Sequence, residues 1–287
     1  MPLVNAKIMI KNAYKKKYAI PHININNLEW TKTVLLAAQK MKSPIIVATS
    51  EGAVKYMGGY KTVYNLVSGL ISDLKITIPV ALHLDHGTLD GCYKAIEAGY
   101  TSIMYDGSHE DFKTNLKNTK KLLKKAVVKG VSVEAEVGSI GGEEDGIIGN
   151  GEIANPLEAR KMALTGIDML AAGIGNIHGP YPSSWKSLNF DAIREINQKA
   201  KIGLVLHGGS GIPIDQIQKA ISLGISKINV NTELQQANAV AITEFVESGK
   251  IKIGKNFDPR KIYAKANEAM ENVVFEKIKQ FGSENKA

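Results

Sequence analysis

The chain has 287 residues, 44% of them hydrophobic, enough to bury a large core in one or two domains. Its net charge of +8 comes from 36 Lys and Arg against 28 Asp and Glu, yet no lysine cluster carries the interleaved aromatics of a nucleic-acid surface. Lys15 to Lys17 and the lysines between 120 and 129 read as solvated faces. One cysteine, Cys92, excludes an internal disulfide; with no apolar leader and no run near the ~20 apolar residues of a membrane span, a cytoplasmic protein bound to neither nucleic acid nor membrane is expected.

Short β-branched runs alternate with longer amphipathic ones. Residues 18–24 (YAIPHIN) read as a strand ending at Asn24, followed by a helical pattern in NNLEWTKTVLLAAQKM. Residues 44–50 (PIIVATS) end at Ser50. Residues 79–85 (PVALHLD) end at Asp85, with His86 next; alternation puts His83 on the face of Asp85 but one layer deeper, in a supporting place. Residues 102–106 (SIMYD) end at Asp106, and HEDFKTNLKNTKKLLKKAVVKG is an amphipathic helix that stops at Gly130. Residues 131–138 (VSVEAEVG) carry Glu134 and Glu136 on one face. The glycine-rich, acidic stretch 139–152 (SIGGEEDGIIGNGE) reads as a long functional loop. NPLEARKMALTG is a helix with an Asn cap and proline at its first position. Residues 168–173 (DMLAAG) form the sixth strand, with His178 beyond it; 202–209 (IGLVLHGG) the seventh, with His207; 227–232 (KINVNT) the eighth, with Asn229, Asn231 and Thr232. A helical tail from about residue 250 packs on the exterior or forms a dimer contact.

Eight strand–helix units without a linker predict an α/β fold, a single (β/α)8 TIM barrel spanning 1–287 with a C-terminal helical extension; a doubly wound open sheet is the competing arrangement. In the barrel, catalytic groups occupy the C-terminal strand ends, where nearly every strand here places polar chemistry. Three imidazoles at one mouth, His86, His178 and His207, describe a catalytic Zn²⁺ site with an open position. Buried carboxylates are costly without partners, and no strand end carries a lysine, Lys227 standing at the start of the eighth strand. A second divalent metal bound by Asp106 and Glu136, with Glu134 orienting a histidine, would answer that demand; a hydrogen-bonded network without metal is the alternative. The missing lysine also disfavours Schiff-base chemistry. After strands seven and eight, where this fold cradles phosphate, stand Gly208, Gly209, Ser210 and Asn229, Val230, Asn231, Thr232, with Gly179 a further backbone donor.

Together LHLDHG, SVEAEVG followed by GGEEDG, GNIHG, LHGGSGI and KINVNT resemble the class II, metal-dependent fructose-1,6-bisphosphate aldolases, in order over almost the whole chain, from HININN to DPRK. The likeness is to the shorter branch, which includes tagatose-bisphosphate aldolases, with KINVNTE nearer the fructose enzymes. The resemblance implies cleavage of fructose 1,6-bisphosphate to two triose phosphates through a metal-stabilised enediolate. It implies zinc on the three histidines, a metal at the inner position of Asp106 and Glu136, and Asp85 as acid/base at the aldol hydroxyl. A monovalent cation is a further cofactor expectation. Dihydroxyacetone phosphate would lie against Gly179, Gly208 to Ser210 and Asn229 to Thr232, with Asn24 and Ser50 as further contacts. Arg260 would meet the second phosphate, in a neighbouring subunit of a homodimer or tetramer. The base is expected in GGEED, Glu144 first and Glu143 as its alternative. A barrel metallohydrolase and a basic binding protein are the competing functions.

Overall fold

A computed structural model describes residues 3–144 and 147–287, and at 144, 147 and 148 the backbone alone. Its strands are β1 (Ile20–Asn24), β2 (Ile45–Thr49), β3 (Val80–Gly87), β4 (Ser102–Tyr105), β5 (Ser132–Val137), β6 (Gly141–Glu144), β7 (Ile147–Asn150), β8 (Met169–Ala172), β9 (Ile177–His178), β10 (Leu204–Leu206) and β11 (Ile225–Val230). The eight strands anticipated from the alternation, β1 to β5, β8, β10 and β11, pair in parallel into a closed barrel, which excludes the open sheet. Helices between them start where side chains satisfy the free N–H groups of the first turn. Asn27, Ser50, Thr88, Asp111 and Asn155 each accept such a bond, and the 112–129 helix ends at Gly130 in the left-handed region.

Strand alternation divides the side chains into two sets. Outward residues such as Val47, Leu82, Ile103, Val133 and Val230 join the layer between sheet and helices. Inward residues at the N-terminal end, Ile20, Ile46, Ala81, Met104, Met169 and Val205, form a second apolar cluster. The helix Ala6–Lys16 closes that end, burying Met9, Ile10 and Ala13 against it. Above this plug the inward positions turn polar: His22, His83, Ser102, Glu134 and Lys227 have no solvent exposure. The barrel axis thus runs from a sealed apolar base to a chemical mouth.

One expectation is corrected. The acidic stretch after β5 is not a structureless loop: β6 and β7 form an antiparallel hairpin, and β6 also pairs in parallel with β9, aligning Gly142 with His178. Glycine permits this approach. Gly142 has φ +84, and a Cβ there would stand 2.2 Å from the carbonyl oxygen of His178.

Candidate active site

Asp85 and His86 are consecutive, yet both serve the mouth, which a regular strand forbids. β3 resolves this with a register shift against β4 between Leu84 and Gly87, and His86 lies in the left-handed region at φ +47. A non-glycine residue there is strained, and the strain swings the ring to the side that Asp85 already faces.

The structure brings the three predicted histidines together. His86, His178 and His207 each offer a ring nitrogen, all within 4.8 Å of one another. His86 Nε2 stands 2.9 Å from His207 Nδ1, and their rings meet edge to face at 4.7 Å. Each of these two rings spends its other nitrogen on a carboxylate: His86 Nδ1 lies 2.7 Å from Asp106 Oδ2, and His207 Nε2 lies 2.9 Å from Glu134 Oε1. That is the arrangement of metal-ligating histidines, whose remote nitrogen is oriented by a carboxylate. Burial drives the basicity of His178 down to about 2, aided by the other two rings, so it presents a neutral imidazole. Asp106 resists the upward push of its burial and is held well below the usual range by His86 and Ser108, whose N–H and hydroxyl both reach its Oδ1.

Glu136 behaves differently. It is 1% exposed, and its Oε2 has no hydrogen-bond partner among the described residues. Burial, reinforced by Asp106, pushes its carboxyl well above the ordinary value. His86, Asp106 and Glu136 also offer three atoms within 4.8 Å of one another, a place where a cation would fit.

The other predicted carboxylate needs no such ion. Lys227 does not stand at the start of its strand: β11 begins two residues earlier, and Lys227 projects into the interior. Its Nζ donates to Glu134 Oε2 at 2.8 Å and to Asn229 Oδ1 at 2.9 Å. Burial alone would raise Glu134, but Lys227 and His207 outweigh it and keep the group ionised. The side chain of His83 bonds Ser102 at 2.7 Å and stands 3.7 Å from Glu134, deep in the barrel as anticipated.

Asp85 is held from two sides. Asn24 Nδ2 donates to Oδ2 at 3.0 Å and Asn229 Nδ2 to Oδ1 at 3.2 Å. Against its burial, His22 at 3.5 Å and the neighbouring histidines hold its carboxyl well below the usual range. His22 was not singled out from sequence, although it alternates with Asn24 in PHIN and so shares its inward face. Asn176 also escaped notice: its amide donates to the His207 carbonyl at 3.0 Å and accepts from Ile174 N.

Two spaces flank the histidines. The larger, of 460 Å³, is lined by Ser50, His86, Asp106, Glu136 and His178, and also by His109 and Ser108, which the sequence reading passed over. Ser50 serves in addition as the cap of the following helix. The smaller is lined by Asn24, Asp85, His178, Gly179, His207, Gly208, Ser210, Asn229, Asn231 and Thr232. It lies where the helix Thr232–Glu247 begins, so the positive end of the helix dipole faces it. Two residues expected there also have structural ties. The Gly209 N–H is spent on the carbonyl of Asn229 at 2.8 Å; a Cβ there would fall 2.4 Å from Ile228 Cγ2, so glycine is needed for packing. The side chain of Val230 packs outward, leaving only its backbone to the site.

Arg260 is not brought to the cluster. It opens the helix Pro259–Gln280, lines neither space, and pairs with Asp258 with its side chain 89% exposed. Glu143 is exposed on β6, and the side chain of Glu144 lies outside the described residues.

A family model described as "Fructose-bisphosphate aldolase class-II" matches residues 4–286. A fructose-bisphosphate aldolase of Ureaplasma parvum serovar 3 is 57% identical over 286 residues, covering 99% of both chains. One from Mycoplasma pneumoniae is 54% identical over 287 residues, covering 99% of this chain and 100% of its own. Among solved structures, the YdjI aldolase of Escherichia coli K12 superposes with a TM-score of 0.84 at 33% identity, covering 99% of each chain.

Proposed function

The chain belongs to the class II fructose-bisphosphate aldolases, metal-dependent lyases that split fructose 1,6-bisphosphate into dihydroxyacetone phosphate and glyceraldehyde 3-phosphate, and from that premise we propose which of its residues do the work. His86, His178 and His207 hold the catalytic metal, and that metal is Zn²⁺. The observation that carries this reading is the pair of ring nitrogens 2.9 Å apart, on rings whose opposite nitrogens are anchored to Asp106 and Glu134. Three imidazole nitrogens and an open position suit zinc better than the hard, oxygen-seeking ions. Once bound, such an ion polarises the substrate carbonyl and stabilises the negative charge that develops when the adjacent carbon loses a proton. Asp106 and Glu136, with the orphaned Glu136 oxygen, take a second divalent ion at the inner position, and a monovalent cation serves as activator.

The remaining roles fall to the chain's own groups. Asp85, ionised and fixed by two amides, accepts the proton of the C4 hydroxyl in cleavage and returns it in condensation. Glu144, carried on the hairpin beside His178, moves the proton at the triose carbon, with Glu143 as its alternative. Backbone donors of Gly179, Gly208 and Ser210, together with Asn231, Thr232 and the helix start, take the phosphate of the triose; Gly209 shapes that turn. Asn24 and Ser50 contact the sugar.

Arg260 reads the other phosphate across a subunit boundary. Its exposure, beside Ile253 at 64% and Phe257 at 67% exposed, supports a homodimer, or a tetramer built from it. No helix among the described residues is long and apolar enough to cross a membrane, and the lone buried thiol of Cys92 suits a cytoplasmic enzyme acting as one catalytic barrel. His207→Ala, freed of metal and titrated with Zn²⁺, tests the zinc assignment: it should lose tight binding while Arg260→Ala retains it.

A further inference from the structure

A fully buried lysine inside a barrel whose reaction has no use for a Schiff base calls for a physical reason. Its ammonium is donor only, and that simple property fixes the identity of every atom around it. The Asn229 atom 2.9 Å from Nζ must be the amide oxygen, so the amide nitrogen is the end turned to Asp85 Oδ1 at 3.2 Å. Glu134, ion-paired through Oε2 at 2.8 Å, can only accept through Oε1, so the His207 nitrogen at 2.9 Å must carry the hydrogen. His207 Nδ1 is then the unprotonated nitrogen, and it is the one that faces His86.

We propose that Lys227 is a positioning residue that acts through Glu134 and Asn229 at once, selecting the metal-ready tautomer of His207 and aiming the amide of Asn229 at Asp85. One ammonium at the base of the site thereby couples the metal ligand to the proton-transferring carboxylate. The two arms leave β11 two residues apart, Lys227 and Asn229, and alternation keeps them on the same inward face. Removing the ammonium leaves Glu134 without its ion partner and leaves the Asn229 amide free to turn over. Neither Lys227 nor Glu134 need touch substrate or metal for this to matter. The inference rests on the zinc reading above.

The test is Lys227→Met, close in length but without charge or donor. Zinc affinity of the full chain is measured by competition with a chromophoric chelator, beside the melting temperature of the metal-free protein and turnover at saturating zinc. We expect zinc affinity to fall about 10- to 100-fold, the usual scale for losing an orienting partner of a ligand. Turnover should stay reduced with the site filled, because the Asn229 arm is lost too. The double variant Lys227→Met/Glu134→Gln has no unpaired buried charge, so it should regain thermal stability yet still bind zinc weakly. A zinc affinity equal to wild type in either variant that folds would overturn the proposal. So would an affinity loss in the double variant equal to the sum of the losses in Lys227→Met and Glu134→Gln, since residues acting in one chain should not add. If wild-type protein itself bound no zinc, the zinc reading would fail instead, and the two failures are distinct.

Discussion

Asn24 reaches across the barrel mouth from β1 to donate a 3.0 Å hydrogen bond to Asp85 on β3, strands that are not neighbours in the sheet. The bond fixes one carboxylate oxygen, and Asn229 fixes the other. Asp85, the proposed acid–base group, is therefore held in one orientation beside the histidines. Asp85→Asn should retain its metal while turnover falls by roughly 10² or more, the scale of lost acid–base catalysis. Metal analysis beside steady-state kinetics checks it, and metal loss in step with activity would assign Asp85 a structural part.

Glu143 and Glu144 are consecutive on β6, and one of the two is the proposed base at the triose carbon. Glu144→Gln should abolish exchange of that proton from dihydroxyacetone phosphate with deuterated solvent, while Glu143→Gln keeps most of it. The reverse result would move the role to Glu143.

The contact of Gly142 with the carbonyl of His178 ties the hairpin to a proposed ligand of the metal. Gly142→Ala places a methyl in a gap of 2.2 Å and requires φ +84 of a residue that avoids it. Weakened zinc binding and lowered turnover should appear together, with the barrel's melting temperature little changed because β6 lies outside the closed sheet. Unchanged zinc affinity would show that β9 holds His178 without help.

His22 supplies a pH signature in metal-free protein. Burial, and after it Lys227, lowers its basicity from 6.5 to about 4. The folded state keeps this ring neutral where the unfolded chain protonates it, so stability is present above 6.5 and is lost as pH falls towards 4. The span corresponds to about 3 kcal/mol. Glu136, raised above its ordinary value, works in the opposite direction over part of this range, so a comparison isolates the effect. Denaturant unfolding at pH 7 and pH 4.5 should show His22→Gln losing less stability than wild type; equal losses would mean the ring is protonated in the fold.

The alternation of β-branched strands with capped helices made the barrel legible, because a parallel strand covered on both faces writes itself as an unbroken apolar run. The position of His86, His178 and His207 at strand ends made their convergence legible in the same way. Other features depend on geometry that periodicity does not encode. That Asp85 and His86 share a side follows from a register shift at one left-handed residue. Lys227 was misplaced because where a strand begins cannot be read to within two residues, and two residues separate a basal lysine from a central one. The hairpin of β6 and β7 was hidden by its glycines, which look like a loop until β9 supplies a partner strand. His22 was legible in principle, since it lies two residues before Asn24 on the same face.

This barrel is proposed to cleave fructose 1,6-bisphosphate through a metal held by His86, His178 and His207. The most direct measurement is formation of dihydroxyacetone phosphate from fructose 1,6-bisphosphate by the intact protein, before and after verified metal removal with a chelator, and again after Zn²⁺ is restored. Cleavage should be lost in the stripped protein and should recover with zinc. Full activity in protein shown to contain no metal would contradict the proposal.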